Sequence, residues 1–278
     1  MVISPAIALG LLSAISFGSG DFTGGYVTKK TNVFLVLLIS QIVGLIFLII
    51  LLFLSNEIII FDGLLFNLGS GIFGAIGLII FYQGLSKGSV GVIAPVTAVI
   101  APLIPLFFSL FQQTYSPVQI FGMFLALLAI WLVSYTKSEI KQIKSDLSYA
   151  LGAGLCFGLF LLLINLGSST ESVFFPIILA RIASTTLMII IVSYLGVFER
   201  TSIKQTGLIS LAGILDTLGN YFFILSSKAG RVDFASILLS LGPGITVILA
   251  WSILKERLSK IQIIGIFLSI IASYFLSL

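Results

Sequence analysis

Apolar residues fill this chain from end to end, and polar positions interrupt them only briefly. Apolar runs of about 18 or more residues predict membrane-spanning helices, because a helix needs about 20 such residues to cross the hydrocarbon core. The pattern predicts an all-α polytopic membrane protein with ten transmembrane helices and no separate soluble domain. The predicted spans cover residues 5–27, 33–54, 63–85, 89–111, 117–136, 147–168, 173–197, 206–226, 232–254 and 260–278.

Short patterns recur in the two halves of the chain. Residues 116–122 correspond to 259–265 at an offset of 143, and residues 38–42 correspond to 178–182 at an offset of 140. Both offsets are close to half of the 278 residues, which predicts a tandem duplication of a five-helix unit. Because five is odd, the two copies cross the membrane in opposite directions, the construction of many secondary transporters. The predicted repeats cover residues 1–138 and 139–278.

Proline and glycine mark the fourth and ninth spans as irregular. Span four carries Pro95, Pro102 and Pro105, and in span nine Pro243 stands between two glycines. A proline inside a helix lacks the N–H that the carbonyl one turn earlier needs, so it kinks or breaks the helix. We predict Pro95, Pro102 and Pro243 as hinge points.

Composition excludes several classes of function. Of the residues, 59% are hydrophobic and 9% charged, against roughly 25% charged in soluble domains. The basic residues mostly lie in short loops, where they orient the chain rather than bind nucleic acid. A single cysteine, Cys156, and no histidine leave no metal cluster of the common kinds, and the chain has no P-loop. We therefore expect no metal, no cofactor and no enzyme activity.

The charges of the loops predict the orientation. The odd-numbered loops, counted from the N-terminus, hold eleven Lys and Arg residues and the even-numbered loops hold two. The positive-inside rule places the richer side in the cytoplasm, so both termini are predicted to lie outside.

Ionisable residues within the predicted spans are the main candidates for function. Asp21, Arg181 and Asp216 lie there, although a charge at bilayer depth costs at least ~3 kcal/mol. Asn220 lies on the same helix face as Asp216, and Gln41 holds the place of Arg181 in the first repeat. Two interpretations stay open: an Arg181–Asp216 ion pair that fixes the packing, or groups that line a cavity where Arg181 attracts a carboxylate or phosphate.

Asp21 also has two interpretations. It lies toward the end of its span, so it either reaches the interface beside Lys29 or lines the cavity and carries a proton. With histidine absent, only carboxylates are suited to take up and release protons near neutral pH. Tyr82 is a further candidate for hydrogen bonding a solute. The predicted substrate-binding or coupling residues are Asp21, Gln41, Tyr82, Arg181, Asp216 and Asn220.

An enzyme is the rival class. Residues 18–21 match the Gly-x-Gly-Asp signature of intramembrane aspartyl proteases, with Asp216 as a second carboxylate. Such a dyad works because two close carboxylates share one proton. The Tyr-Asp pair and the Pro-Ala-Leu element that this resemblance implies are absent from the sequence.

With ten predicted spans and a duplication, the chain resembles the drug/metabolite transporter superfamily, specifically its EamA-type members. The resemblance rests on residues 16–25, on Tyr82 with residues 91–95, and on residues 254–259, which resemble a Glu-Arg-Leu-Ser turn common in the family. The counterpart of that turn, residues 113–116, has no acid or base. Relatives move amino acids, nucleosides, sugar phosphates, drugs and other metabolites, and are commonly drawn with both termini cytoplasmic, against the charge count.

The residues and the resemblance together predict a secondary transporter of the cell membrane. We expect it to move a small polar metabolite, amino acid-like or related, by alternating access, in the efflux direction and coupled to protons. Its expected partners are the solute and the lipid bilayer, without nucleic acid, as a monomer or homodimer.

Overall fold

The computed structural model describes residues 5–55, 57, 63–88, 90–112, 114–134, 143–168, 172–197, 199–239, 241–254 and 260–276. These residues form eleven α-helices and no strand, so the all-helical fold is confirmed for this part of the chain. The helices are α1 (Pro5–Thr28), α2 (Val33–Leu54), α3 (Leu64–Lys87), α4 (Val90–Ser109), α5 (Pro117–Ser134), α6 (Ile143–Leu166), α7 (Phe174–Leu195), α8 (Ile203–Ala229), α9 (Val232–Leu239), α10 (Gly242–Leu254) and α11 (Lys260–Leu276).

Six of these helices, namely α1, α2, α3, α6, α7 and α8, are each long and apolar enough to cross a membrane. Much of the surface is apolar, and the largely apolar interior also holds many polar groups. Phe53, Leu65 and Phe111 are largely exposed, whereas Asn67 and Thr217 are fully buried. Apolar side chains on the outside have no cost in lipid, and polar groups inside can bond to one another.

Capping side chains fix where several helices begin. Asn32 accepts a hydrogen bond from the backbone N–H of Phe34 at the start of α2. Ser202 and Gln205 form a capping box at the start of α8, and Ser116 and Gln119 bond in the same reciprocal way at α5. Each cap satisfies N–H groups that the first helical turn leaves without a partner.

Span nine is two helices rather than the single span predicted over residues 232–254. Helix α9 ends at Leu239 and α10 begins at Gly242, with a turn at Leu241 between them. Pro243 has no N–H to offer the carbonyl of Leu239, four residues earlier, so an unbroken helix would leave that oxygen unpaired. The predicted irregularity of span nine is confirmed, but the count of ten helices is not.

Span four behaves differently from the prediction. Helix α4 runs without a break through Pro95 and Pro102, so these prolines do not divide it. Pro102 is buried in the bundle, and Pro243 lies in the first turn of α10. The side chains of Pro95 and Pro243 lie outside the described residues. The role of all three as hinges stays a prediction.

Several helix contacts between the two halves have a counterpart in which both helices are replaced by their equivalents in the other repeat. Helix α1 packs on α8 as α6 packs on α3, and α2 packs on α8 as α7 packs on α3. Helix α2 also contacts its own counterpart α7, and α5 contacts α11. Contacts that survive the exchange of the two halves are those of two repeats related by a pseudo-two-fold axis.

Close approaches between helices obey the same exchange. A methyl group added at Gly71 would overlap the carbonyl oxygen of Ala180, and one at Gly213 would overlap that of Ser40. Gly71 and Gly213 are 142 residues apart, and Ser40 and Ala180 are 140 apart, as the duplication predicts. Two further close contacts have such counterparts. The contact of Gly18 with Gly242 corresponds to that of Gly158 with Ala101. The contact of Phe17 with Gly219 corresponds to that of Phe157 with Gly77.

The orientation is testable at two exposed positions. In a Cys156→Ser background, we introduce Gln112→Cys in the α4–α5 connection and Glu199→Cys in the α7–α8 connection, both exposed. The loop charges predict that an impermeant thiol reagent labels Gln112→Cys in intact cells and leaves Glu199→Cys unlabelled until the cells are broken. The opposite labelling pattern reverses the assignment of the two faces.

Candidate functional site

A cavity lies between the two repeats near the middle of their helices. Its volume is about 130 Å³, enough for several water molecules or for a small organic solute in their place. Helices α1, α2, α3, α4, α6, α7 and α8 line it, and Leu239 and Gly242 line it from the two sides of the break in span nine. Irregular backbone at membrane depth is tolerated where it faces a cavity rather than lipid.

Arg181 is the centre of a polar network on one wall. Its Nη1 donates to Gln41 Oε1 at 2.5 Å, and its Nη2 donates to Asp216 Oδ2 and to Thr217 Oγ1. Ser184 Oγ donates to the same Gln41 oxygen at 2.8 Å. The side chain of Arg181 is only 6% exposed. The ion pair of the first interpretation is therefore present, and both of its residues line the cavity. That Arg181 attracts an anionic solute stays a prediction.

This network lies at the pseudo-two-fold axis. Gln41 and Arg181 are equivalent positions, 140 residues apart, and they bond directly to each other. Two equivalent positions can touch only close to the axis that relates them. The duplication therefore brings a glutamine and an arginine together where two identical residues would have met, and this makes the centre of the protein asymmetric.

Asp21 and Asn220 also line the cavity, next to Asp216. The site for a Cβ at Gly20 is 3.4 Å from the backbone nitrogen of Asp216, so α1 and α8 are in contact at this level. Asp21 makes no hydrogen bond with any residue that the structure describes, and it is half-buried rather than at the surface. Asn220 Nδ2 donates to the Asp216 carbonyl at 2.8 Å.

Tyr82 lies beside the cavity rather than in its wall. It lines a smaller adjoining pocket together with Gln41 and Asp216. Its hydroxyl lies against Gly24, where any Cβ would overlap it. Of the six predicted site residues, five line the central cavity, and Tyr82 lines the adjoining pocket. Their role in binding or coupling stays a prediction.

The wall opposite the network is apolar. Asp21 has Leu161 as its equivalent in the second repeat, and Asp216 has Gly74 in the first. Leu161 and Gly74 both line the cavity, so the positions equivalent to the two carboxylates hold residues without charge. Aromatic rings cover much of the lining. They belong to Phe17, Phe81, Phe157 and Phe160.

Sequence reasoning missed Ser184 and Thr217, which complete the network. Both are one helical turn or less from a charged candidate, Ser184 three residues after Arg181 and Thr217 directly after Asp216. A buried ion pair needs neighbouring hydroxyl and amide groups to satisfy its remaining donors and acceptors. Polar residues within one turn of an intramembrane charge are therefore the signal that would have found them.

The comparisons with known proteins agree with this architecture. The sequence profile of the EamA-like transporter family matches residues 4–135 and 145–278. The chain belongs to the EamA-like transporter family. An uncharacterized protein of Methanocaldococcus jannaschii is 32% identical over 133 residues, 46% of this chain and 96% of that protein. That relative is thus about as long as one repeat. A protein of known crystal structure, 15% identical, shares the fold with a TM-score of 0.77 over 99% of this chain and 96% of its own.

Membership of the family makes this chain an integral, multi-pass membrane protein of a transporter family. The residues that the structure describes contain no group of three or more Asp, Glu, His or Cys that could hold a metal ion. Asp216, the second carboxylate of the protease alternative, is paired with Arg181, which disfavours a shared proton with Asp21. A proteolytic dyad needs two carboxylates that share a proton rather than one held in an ion pair.

Proposed function

We propose that the protein is a proton-coupled secondary transporter that exports a small polar metabolite across the cell membrane by alternating access. The observation that carries the proposal is the central cavity, which both repeats build and which holds charged side chains at the middle of the helices. Ten spans in two inverted five-helix repeats supply the symmetry for alternation, since rocking one repeat against the other opens the site to either side.

The broken ninth span supports this proposal. Discontinuous helices at the repeat interface are typical of transporter binding sites, because their ends present free backbone groups to a solute. Here Leu239 and Gly242 bring the two ends of the break to the cavity. Thr246 Oγ1 donates to the Gly18 carbonyl at 2.9 Å, which ties α10 to α1 close to Asp21. A movement of α10 is thus transmitted to the helix that carries Asp21.

One end of the bundle is held together by polar contacts between the repeats. We call the end that carries the α2–α3, α4–α5, α6–α7 and α8–α9 connections the even face. There Glu57 accepts hydrogen bonds from Ser172 Oγ and from the N–H groups of Val173 and Phe174, at 2.6 to 2.8 Å. A carboxylate at the start of α7 also matches the positive end of the helix dipole. These contacts join the first repeat to the second.

A second cluster closes the even face at α9. Tyr115 donates to Asp233 Oδ2 at 2.6 Å, and Arg231 donates to both oxygens of Asp233 at 3.2 Å. The Arg231 guanidinium lies 4.0 Å from the centre of the Tyr115 ring. Burial and the hydrogen bond to Asp233 raise the pKa of Tyr115, so its hydroxyl remains a donor at neutral pH. We propose that this cluster is a gate in its closed state.

Tyr115→Phe tests the gate. The variant keeps the ring under Arg231 and loses the hydrogen bonds of the hydroxyl with Ser109 and Asp233. The bond to Asp233 contributes about 1.5–3 kcal/mol because the acceptor is charged. We expect the even face to open more often. The reporter is a cysteine at the cavity residue Ala98, introduced as Ala98→Cys in a Cys156→Ser background. An impermeant thiol reagent applied at the even face should label this cysteine faster in the Tyr115→Phe variant than in the protein with Tyr115. Ser148→Ala, exposed and outside the cluster, is the control, and equal labelling rates would contradict the gate.

Asp21→Asn tests the coupling. Asp21 is the cavity carboxylate without a cationic partner among the described residues, and we propose that it carries the proton. In proteoliposomes, uptake of the solute should follow an imposed pH gradient, because protons moving down their gradient drive the solute the other way. Asp21→Asn should abolish this response and retain counterflow exchange. A wild-type protein that ignores the pH gradient is a uniporter or exchanger, which refutes the coupling and leaves the transport.

A further inference from the structure

The charges on the cavity wall do not cancel. Asp21, Arg181 and Asp216 are the charged residues among the described lining, two acids and one base. Arg181 is paired with Asp216 and almost fully buried, so its charge is already balanced. An anionic solute would have to displace the Asp216 carboxylate in order to reach it. The charge that remains for a solute is the carboxylate of Asp21.

Three hydroxyls at the cavity use their hydrogens within the protein: Thr97 donates to the Ala150 carbonyl at 3.2 Å, Ser184 to Gln41 or its own helix, and Thr217 to the Gly213 carbonyl at 2.8 Å. The donors that remain on the wall are the uncharged amide of Gln41 and N–H groups of Arg181, whose charge Asp216 balances. A carboxylate or phosphate entering this cavity would lose its hydration and meet the negative charge of Asp21.

Asn220 supplies a second acceptor. Its Nδ2 donates to the Asp216 carbonyl, which identifies the other amide atom as the oxygen. That Oδ1 has no hydrogen-bond partner, and Asn220 is 5% exposed. A buried polar atom without a partner is costly and is normally satisfied. Asn220 lines the cavity beside Asp21, so a shift of its side chain that brings this oxygen to the cavity would let a donor carried by the solute satisfy it.

The rest of the lining suits an apolar body. Four phenylalanine rings and several aliphatic side chains are part of the cavity lining. Aromatic faces attract cations in addition to excluding water, so they favour a positively charged solute over a neutral one of the same shape. We propose that the transported solute is an organic cation, a protonated amine on an apolar body, with its ammonium group at Asp21 and Asn220 and its body against the phenylalanine rings.

This inference rests on the proposed transport function and narrows its solute. It also replaces the expectation of an amino acid-like solute, because the carboxylate of an amino acid would face the acceptors of Asp21 and Asn220. An amine without that carboxylate keeps the favourable contact and avoids the repulsion. The class of solute thus follows from the Asp21 carboxylate and the Asn220 oxygen, which have no partner among the described residues. The fold of the family does not determine a solute class.

Four test compounds with the same phenyl body and different charges decide the matter: 2-phenylethylammonium, 2-phenylethanol, 3-phenylpropanoate and phenylalanine. Binding to the full chain in lipid nanodiscs is measured by calorimetry. We expect 2-phenylethylammonium to bind at least about tenfold more tightly than each of the others, a difference of about 1.4 kcal/mol. Equal or tighter binding of 3-phenylpropanoate or phenylalanine overturns the proposal, and so does an absence of amine binding up to about 10 mM, a weak limit for any specific site.

Two variants assign the effect to Asp21. Asp21→Asn has nearly the same shape and should weaken 2-phenylethylammonium at least about tenfold while leaving 2-phenylethanol unchanged. Glu199→Gln removes an exposed carboxylate outside the cavity and should bind the amine like the wild type. Equal weakening by both variants would overturn the assignment. If Asp21→Asn does not fold, the comparison of the four compounds on the wild-type protein still decides the class.

Counterflow of the same compounds in proteoliposomes separates this inference from the proposed function. Binding of the amine without any counterflow refutes transport and leaves the solute class standing. Counterflow of phenylalanine or 3-phenylpropanoate with no response to the amine supports transport and refutes the class. Counterflow of 2-phenylethylammonium by the wild type supports both, and Asp21→Asn should then keep this counterflow but need a higher concentration of the amine.

Discussion

Gly213→Ala should destabilise the protein by about 3 kcal/mol, at the upper end for overpacking a core. A methyl group at this position of α8 would overlap the carbonyl oxygen of Ser40 on α2. Backbone atoms cannot move aside as the end of a flexible side chain can, so the two helices must separate. They carry Asp216 and Gln41, and the polar network between them would open. Melting temperature and counterflow activity of purified protein should therefore both fall.

Gly207→Ala is the matched control for this prediction. Gly207 lies on the same helix and has no atom within 4 Å of the place where its Cβ would be. Alanine favours helix over glycine, so this variant should be unchanged or stabilised by up to about 1 kcal/mol. Gly71→Ala, the equivalent of Gly213 in the first repeat, should be as damaging as Gly213→Ala because it would overlap the Ala180 carbonyl. Equal stability of all three variants would contradict the close approach of these helices.

These glycines show how much of the fold was available from the sequence. The offsets of 140 to 143 residues between the halves are a property of the chain, and they predicted which helices would be equivalent. The all-helical fold followed from the length of the apolar runs. Which glycine faces a neighbouring backbone did not follow, because small residues recur along most of these helices. That choice depends on the rotation of each helix about its own axis, which only packing decides.

Part of the candidate site was also predictable from the sequence, and part of it was not. That Gln41, Arg181 and Asp216 lie at one level was predictable, since each is near the middle of its predicted span. The full set of hydrogen bonds of Arg181 was not, because its partners come from two other helices, α2 and α8, and depend on how these pack against α7. Its expected role as an anion-binding group changes once those partners are known. Tyr82 lines the adjoining pocket rather than the central cavity.

Arg181→Met should be the most damaging single change on the cavity wall. It leaves the Asp216 carboxylate without its cation and Gln41 without one of its two donors. Removing one partner of a buried ion pair costs about 3–5 kcal/mol, since the remaining charge is unbalanced. Methionine preserves much of the length and the apolar stem, so the loss reports the guanidinium. We expect a large fall in melting temperature, with Arg181→Lys in between because a single ammonium cannot serve Gln41, Asp216 and Thr217 together.

The double variant Arg181→Met/Asp216→Asn separates packing from transport. Removing both charges should restore most of the stability that Arg181→Met loses, because no unbalanced charge remains in the membrane. If the pair also orders the cavity for the solute, the double variant should fold and still fail in counterflow, with Asp21 and Asn220 present but no longer held against an ordered wall. A double variant that folds and transports like the wild type would show that the pair serves packing alone. The solute site would then consist of Asp21 and Asn220 without the ion pair.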